Sequence, residues 1–261
     1  MLAAIYWDVI KGFDLGPVTI RWYGILFALS FVIGYQIMQN YYKKENKSQK
    51  QLDTLAVIMI IATVVGARLG HCLLYDPEFY LSNPIEILKI RKGGLASHGA
   101  GAGILIGIVI YAKMMKDISF LWIIDRLSIV VALAGFFIRT GNFFNSEIYG
   151  HPADVPWAVI FASVDNIPRH PVQLYEALTY LIIFFLLFFL FKKTNIKQYS
   201  GRVFSLFLIS VFGARFFLEY FKVSQAAFVE GWAMNMGQLL SIPFVLAGII
   251  LFIYSGRKKE K

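Results

Sequence analysis

The stretch VQLYEALTYLIIFFLLFFLF, residues 172–191, decides the fold. About 20 mainly apolar residues are what an α-helix needs to cross the hydrocarbon layer of a bilayer. Its polar residues Gln173 and Glu176 lie near its start, and its second half is Leu, Ile and Phe alone. Six further stretches have the same character: 18–39, 54–75, 98–115, 119–138, 203–221 and 237–255. The 261 residues are 58% hydrophobic and 16% charged, with a mean hydropathy of +0.63, so a soluble domain of this length could not hide its apolar surface. The expected fold class is an all-α integral membrane protein of about seven transmembrane helices, one polytopic domain over residues 1–261. The widest polar gap, 139–171, is expected to form a small extracytoplasmic cap, too short for an independent core.

Met1 to Phe13 carries Asp8 before its lysine and lacks a basic start and a small-residue cleavage site, so it does not resemble a cleaved signal peptide. A net charge of +9 could suggest nucleic acid, but the basic residues fall in particular loops rather than along one soluble face, and no nucleic-acid partner is expected. Fourteen of them lie in the loop 41–50, at Lys113 and Lys116, in 192–202 and in the tail 257–261. The alternate loops hold seven: Lys11, Lys89, Arg91, Lys92, Arg139, Arg169 and Lys222. The positive-inside rule then puts the N-terminus outside and the C-terminus in the cytoplasm. The lone Cys72 sits inside an apolar stretch and is expected to be a packed thiol.

Arg21, Arg68, Arg126 and Arg215 lie within or beside apolar stretches, where an arginine costs at least about 2.5 to 3.5 kcal/mol at the bilayer centre. With the orientation above, the outer helix ends carry Arg21 and Tyr23, Arg68 and His71, His98, Arg139, Gln173 and Glu176, Arg215 and Glu219, and Gln238. The loop charges that set the orientation did not include most of these residues, yet it gathers them at one leaflet. Asp125 and Arg126 fall at the opposite end, as an expected interfacial cap and snorkelling anchor. Arg215 and Glu219 at i,i+4 form either a charge pair that makes burial tolerable or a functional pair. Arg68 and His71 at i,i+3 lean towards structure.

The run Gly93 to Gly103 is rich in small residues and permits close helix packing. It lacks the Lys-Ser/Thr ending of a P-loop, so it is no nucleotide site. His98, at its water-facing end, is either a packed histidine or a reactive one. Gly66 Ala67 Arg68 and Gly213 Ala214 Arg215 are the sole internal echo, which weakens a transporter built from inverted halves. An enzyme, an anionic-solute channel and a structural subunit all accommodate intramembrane arginines. Polar groups gathered at one leaflet favour the enzyme, because a pathway would continue to the other side.

The segment Arg139 Thr140 Gly141 Asn142 Phe143 Phe144 Asn145 Ser146 Glu147 Ile148 Tyr149 Gly150 strongly resembles the signature of prolipoprotein diacylglyceryl transferases. Further matching segments follow the family's order: Arg21 to Gly24, Gly94 to Gly99, His170 to Glu176, Arg215 to Glu219 and Met236 to Pro243. Ile138, Arg21 and Val211 stand where members of the family carry glycine, histidine and tyrosine.

The resemblance implies transfer of the diacylglyceryl group of phosphatidylglycerol to the lipobox cysteine thiol of a preprolipoprotein, with formation of a thioether and release of glycerol 1-phosphate. The implied partners are phosphatidylglycerol, preprolipoprotein signal peptides and membrane lipids, with no cofactor and no metal. The implied location is the bacterial inner (plasma) membrane, with the active site facing the outer leaflet. Arg139 and Arg215 are the candidates to stabilise charge gathering on the leaving phosphate. His98 is the candidate base for the thiol. Tyr23, Asn142 and Asn145 can donate hydrogen bonds to the glycerol head group, and Glu147 and Glu219 can orient the arginines. Asn145 and Glu147 fit helix-end caps equally well.

Overall fold

The structure is a computed structural model and describes residues 4–16, 18–90, 93–223 and 234–256. Arg91, Lys92 and the basic tail 257–261, which enter the charge count above, lie outside the described residues. Seven helices among the described residues are long and apolar enough to cross a membrane. They are α1 (Trp22–Lys44), α2 (Gln49–Leu74), α5 (Ser97–Met114), α6 (Phe120–Phe144), α7 (Val172–Lys193), α8 (Arg202–Leu218) and α9 (Met236–Ser255). Two short helices, α3 (Pro77–Ser82) and α4 (Pro84–Ile87), lie between α2 and α5. The protein is an all-α integral membrane protein that crosses the bilayer several times.

Small strands stand beside the helices. β1 (Ile5–Trp7) pairs in parallel with β4 (Val159–Phe161), β4 pairs antiparallel with β5 (Pro168–Arg169), and β2 (Gly12–Leu15) forms a hairpin with β3 (Val18–Arg21). Arg21 therefore ends a strand instead of lying in the first apolar helix.

The chain divides into two compact units, Met1–Ile37 with Asp125–Lys261, and Met38–Ile124. In the second unit α2 packs on α5 through Gly66, Gly70, Gly99 and Gly103, where an added Cβ would collide with the facing backbone. That contact is what the run of small residues permits. Arg68 is buried there and donates to the carbonyls of Glu86, Ile87, Gly93 and Gly94 at 2.6–3.1 Å, with its guanidinium over the Tyr80 ring. Its role is to hold Glu86, Ile87, Gly93 and Gly94 against α2. Cys72 is fully buried, as expected of a packed thiol.

In the first unit α8 packs between α7 and α9. At the end of this unit that carries Lys192 and Lys193, Asp125 on α6 accepts from the amides of Gly201 at 2.7 Å and Phe204 at 2.8 Å. These amides would otherwise be orphaned at the start of α8, so a side chain from another helix supplies the cap. Arg126 is 4% exposed with its guanidinium over the Phe191 ring. The expected snorkelling anchor is thus corrected: the arginine packs inward against an aromatic face.

At the other end of the same unit, the cap builds its core from both termini of the gap. Phe143, Val159 and Phe161 are buried, with Trp7, Tyr149 and Leu174 against them. The segment after α6 borrows strand β1 and the last turn of α6, which is how so few residues acquire a core.

Candidate active site

Helix α6 does not stop at residue 138, where strong hydropathy ends, but runs on to Phe144. The extra turn and a half lifts Arg139 and Asn142 onto successive turns of one face. Helix α7 begins at Val172, so Glu176 sits in its second turn. Arg139 Nε lies 3.0 Å from Glu176 Oε2, with the arginine side chain 15% exposed and the glutamate 1%. The Tyr180 hydroxyl, one turn further along α7, accepts a hydrogen bond from the same guanidinium. Arg139 Nη1 also donates to Asn142 Oδ1 at 3.3 Å. The ion pair approaches the guanidinium from its Nε side, and with Asn142 and Tyr180 taking one donor each, some of its five N–H donors remain for a ligand.

Asn142 Nδ2 donates to Glu147 Oε1 at 2.7 Å, and Asn145 Nδ2 donates to the same oxygen at 3.2 Å. Glu147 therefore reaches Arg139 through Asn142 and orients it indirectly. Its own placement rests on a strained turn: Ser146 has φ +57° and Ile148 φ +60°, a left-handed conformation that a β-branched side chain rarely adopts. Gln173, fully buried, donates to the Glu147 carbonyl at 2.7 Å and ties this turn to α7. Asn145 follows the last residue of α6 with its N–H on the Gly141 carbonyl, as expected of a helix-end cap, and its side chain holds the Glu147 carboxylate.

Tyr23 opens α1 and packs against Gly141, where a Cβ would meet its ring. It is close enough to Glu147 and Arg139 to feel both charges. Arg215 is on α8 near Tyr180, and its Nε is buried without a hydrogen-bond partner among the described residues. Its Nε is an unsatisfied donor near the tyrosine that Arg139 also contacts.

The expected Arg215 and Glu219 pair does not form among the described residues. Helix α8 ends at Leu218 and Glu219 opens a 3-10 turn, Glu219–Phe221, yet the Glu219 N–H still donates to the Arg215 carbonyl, so the spacing holds in the backbone while the Glu219 carboxylate goes to another partner. Glu219 instead lies 3.5 Å from Lys222, whose Nζ is also 3.3 Å from Glu176 Oε1. Glu219 is further fixed by Asn235 Nδ2, which donates to its carbonyl at 3.1 Å, and by Gly237 of α9, which leaves room for its carboxylate.

Arg139, Asn142, Asn145, Glu147, Tyr23, Arg215 and Glu219 all fall in the first unit, whereas sequence reasoning left Glu176, Tyr180 and Lys222 without a role. Lys222 counted only as a loop charge. The signal that could have found it was its spacing of three residues from Glu219. His98 lies in the other unit, exposed in the first turn of α5. It borders an apolar groove of about 670 Å³ between α2 and α5.

The sequence model of the family described as "Prolipoprotein diacylglyceryl transferase" matches residues 11–254. The chain belongs to this family. It is similar to proteins named "Phosphatidylglycerol--prolipoprotein diacylglyceryl transferase" in several bacteria. The one from Tolumonas auensis is 53% identical, across 95% of this chain and 96% of the relative. That from Chloroherpeton thalassium is 45% identical, across 98% and 96%. A third, from Porphyromonas gingivalis, is 42% identical, across 96% and 94%. The family signature falls on the residues that assemble around Arg139.

Proposed function

We propose that this enzyme transfers the diacylglyceryl group of phosphatidylglycerol to the lipobox cysteine of a preprolipoprotein, the first step of lipoprotein maturation. The thiol sulfur attacks the glyceryl carbon, a carbon–sulfur bond forms, the carbon–oxygen bond to phosphate breaks, and glycerol 1-phosphate leaves. Support comes from the relatives' names together with the guanidinium of Arg139, which the buried Glu176 approaches from the Nε side.

The leaving group changes from a phosphate diester to a monoester, so negative charge grows on its oxygens in the transition state. Two guanidinium groups, Arg139 and Arg215, suit that demand, and donors set in place beforehand, as those of Arg139 are, need no reorganisation as the charge develops. Glu176 and Tyr180 fix the first. Tyr23, Asn142 and Asn145 are assigned to the glycerol head group, with Glu147 holding the asparagines. The thiol has an ordinary pKa of about 8.5 and needs a base or a positive field to become thiolate. His98 is assigned as that base, on the strength of its matching segment Gly94 to Gly99.

The site is assigned to the outer face of a bacterial inner membrane, with the N-terminus outside. The support is the fourteen-to-seven division of loop charges. In the first unit, Lys192, Lys193, Lys197 and Arg202 also lie at the helix ends opposite the cap.

The test is direct: purified protein, phosphatidylglycerol in detergent micelles and a lipobox peptide, followed by mass spectrometry. The expected result is a peptide heavier by one diacylglyceryl group on cysteine, with glycerol phosphate released in equal amount. An unmodified peptide, or equal transfer from phosphatidylethanolamine, would overturn the reading.

A further inference from the structure

Lys222 is a lysine ammonium at 5% exposure, in contact with two carboxylates from different elements. A buried charge is costly unless well partnered, and snorkelling away is not open to this side chain. Its backbone is clamped as well. Lys222 forms a β-bridge with Gly150, and His151 N donates to the Phe221 carbonyl at 2.9 Å. Gly150 has no Cβ, and one placed there would collide with that same carbonyl. The last residue of the signature thus seats the lysine beside α7.

The carboxylate of Glu176 is divided between two cations. Oε2 faces Arg139 Nε at 3.0 Å, and Oε1 faces Lys222 Nζ at 3.3 Å. Arginine prefers to bind a carboxylate with two parallel N–H donors, side by side. Besides the contacts of the Arg139 guanidinium with Asn142 and Tyr180, what opposes that fork is the pull of Lys222 on the second oxygen. A forked Glu176 would occupy an amino group of Arg139 and neutralise more of its charge.

We propose that Lys222 is a positioning residue for the transfer reaction: by holding Glu176 Oε1, it restricts Glu176 to the Nε side of Arg139 and keeps the glutamate from taking the amino N–H donors that the lipid phosphate needs. The proposal rests on the phosphate role assigned to Arg139. Lys222 itself need not touch the lipid. Glu219, at 3.5 Å, completes its charge balance and ties it to the N-terminus of α9 through Asn235.

The experiment uses the purified full chain with phosphatidylglycerol micelles and a lipobox peptide, comparing Lys222→Met, Lys222→Arg, Glu176→Gln and the Lys222→Met/Glu176→Gln double variant. Transfer by the parent is measured first, and its absence would refute the transferase reading before any variant is compared. Lys222→Met is expected to lower kcat about tenfold or more with KM for the lipid changed less than about threefold, because the interaction lost serves the developing charge. Lys222→Arg is expected to recover at least about half of the parental kcat, since it restores a cation opposite Oε1. In the double variant, the methionine should add less than about twofold to the loss caused by Glu176→Gln alone, as expected of residues acting through one another. Should Lys222→Met fail to give a folded protein, Lys222→Gln, which keeps a donor without the charge, must show the same loss in kcat. Parental kcat in either variant, a change in KM alone, no rescue by arginine, or multiplicative losses in the double variant would overturn the proposal.

Discussion

Arg139 Nε stands 3.0 Å from Glu176 Oε2, joining the end of α6 to the start of α7 by an ion pair whose glutamate is almost wholly removed from solvent. Such a pair is poor evidence for stability, because desolvation offsets much of the attraction. It is better evidence for a function that needs a guanidinium held at a fixed angle.

The contact between α1 and α6 beneath this pair has no spare room. Gly141 meets the Tyr23 ring, whereas nothing approaches the position a Cβ would take at Gly213 in α8. We expect Gly141→Ala to lower stability by about 1 to 3 kcal/mol through overpacking and to reduce transfer by displacing Tyr23. Gly213→Ala should be neutral or raise stability by about 0.5 to 1 kcal/mol, since alanine is the better helix former. Melting temperatures of both purified variants test the pair; equal behaviour of the two would reject the packing argument.

Asp125 tests the separation of structure from chemistry. Removal of its carboxylate in Asp125→Ala uncaps α8, at a cost of at least about 0.5 to 2 kcal/mol. The melting temperature is expected to fall while the specific activity of the remaining folded protein stays within about twofold of parent, as for a residue whose loss is felt only in stability. A large loss of kcat at full folding would give Asp125 a part in the reaction.

Seven spans were legible because a run of some 20 apolar residues has few other uses, and α7 and α9 matched expectation to within two residues. The strands were not legible. β1 and β4 are three residues each, and their pairing joins positions more than 150 apart, which no local pattern reveals. The same holds for Lys222, whose partner Glu176 is 46 residues away. Arg215 and Glu219 failed for a different reason: the spacing holds in the backbone, where the Glu219 N–H donates to the Arg215 carbonyl, but the Glu219 carboxylate is taken by Lys222. Arg139 was legible as the charge at the end of the fourth span, and its asparagines only through the resemblance of the segment that it opens.

The cap has a pH dependence of its own. Burial pushes the His170 imidazole below its ordinary value, and the neighbouring His151 adds to the effect; the Tyr175 hydroxyl is 3.1 Å from His170 Nδ1. A histidine that resists protonation when folded takes up its proton more readily in the unfolded chain. Stability must then fall as pH drops through about 6.5, the ordinary value, and level off above it. Thermal melts at pH 7.5 and 5.5 should show this decline in the parent and less of it in His170→Gln. Parallel declines in both would remove His170 as the source.

For His98, His98→Asn keeps a hydrogen-bonding side chain of similar reach but cannot accept the thiol proton at neutral pH. We expect turnover to fall by about 10² or more, the usual contribution of a general base, with phosphatidylglycerol binding little changed. Partial recovery at pH 9, where more of the cysteine is already thiolate, would be the accompanying sign. Activity near parental at pH 7 would dismiss His98 as an obligatory base.

The central claim, that Arg139 grips the departing phosphate, is tested most directly by the transfer rate of Arg139→Lys at saturating phosphatidylglycerol, with matched amounts of folded protein. Lysine keeps the charge and loses the planar fork. Loss of one charge-assisted hydrogen bond in the transition state removes about 1.5 to 3 kcal/mol, a fall in rate of roughly tenfold to over a hundredfold. That is the result expected here. A lysine variant that keeps more than about half of the parental rate would contradict it, leaving Arg139 as an anchor for the end of α6.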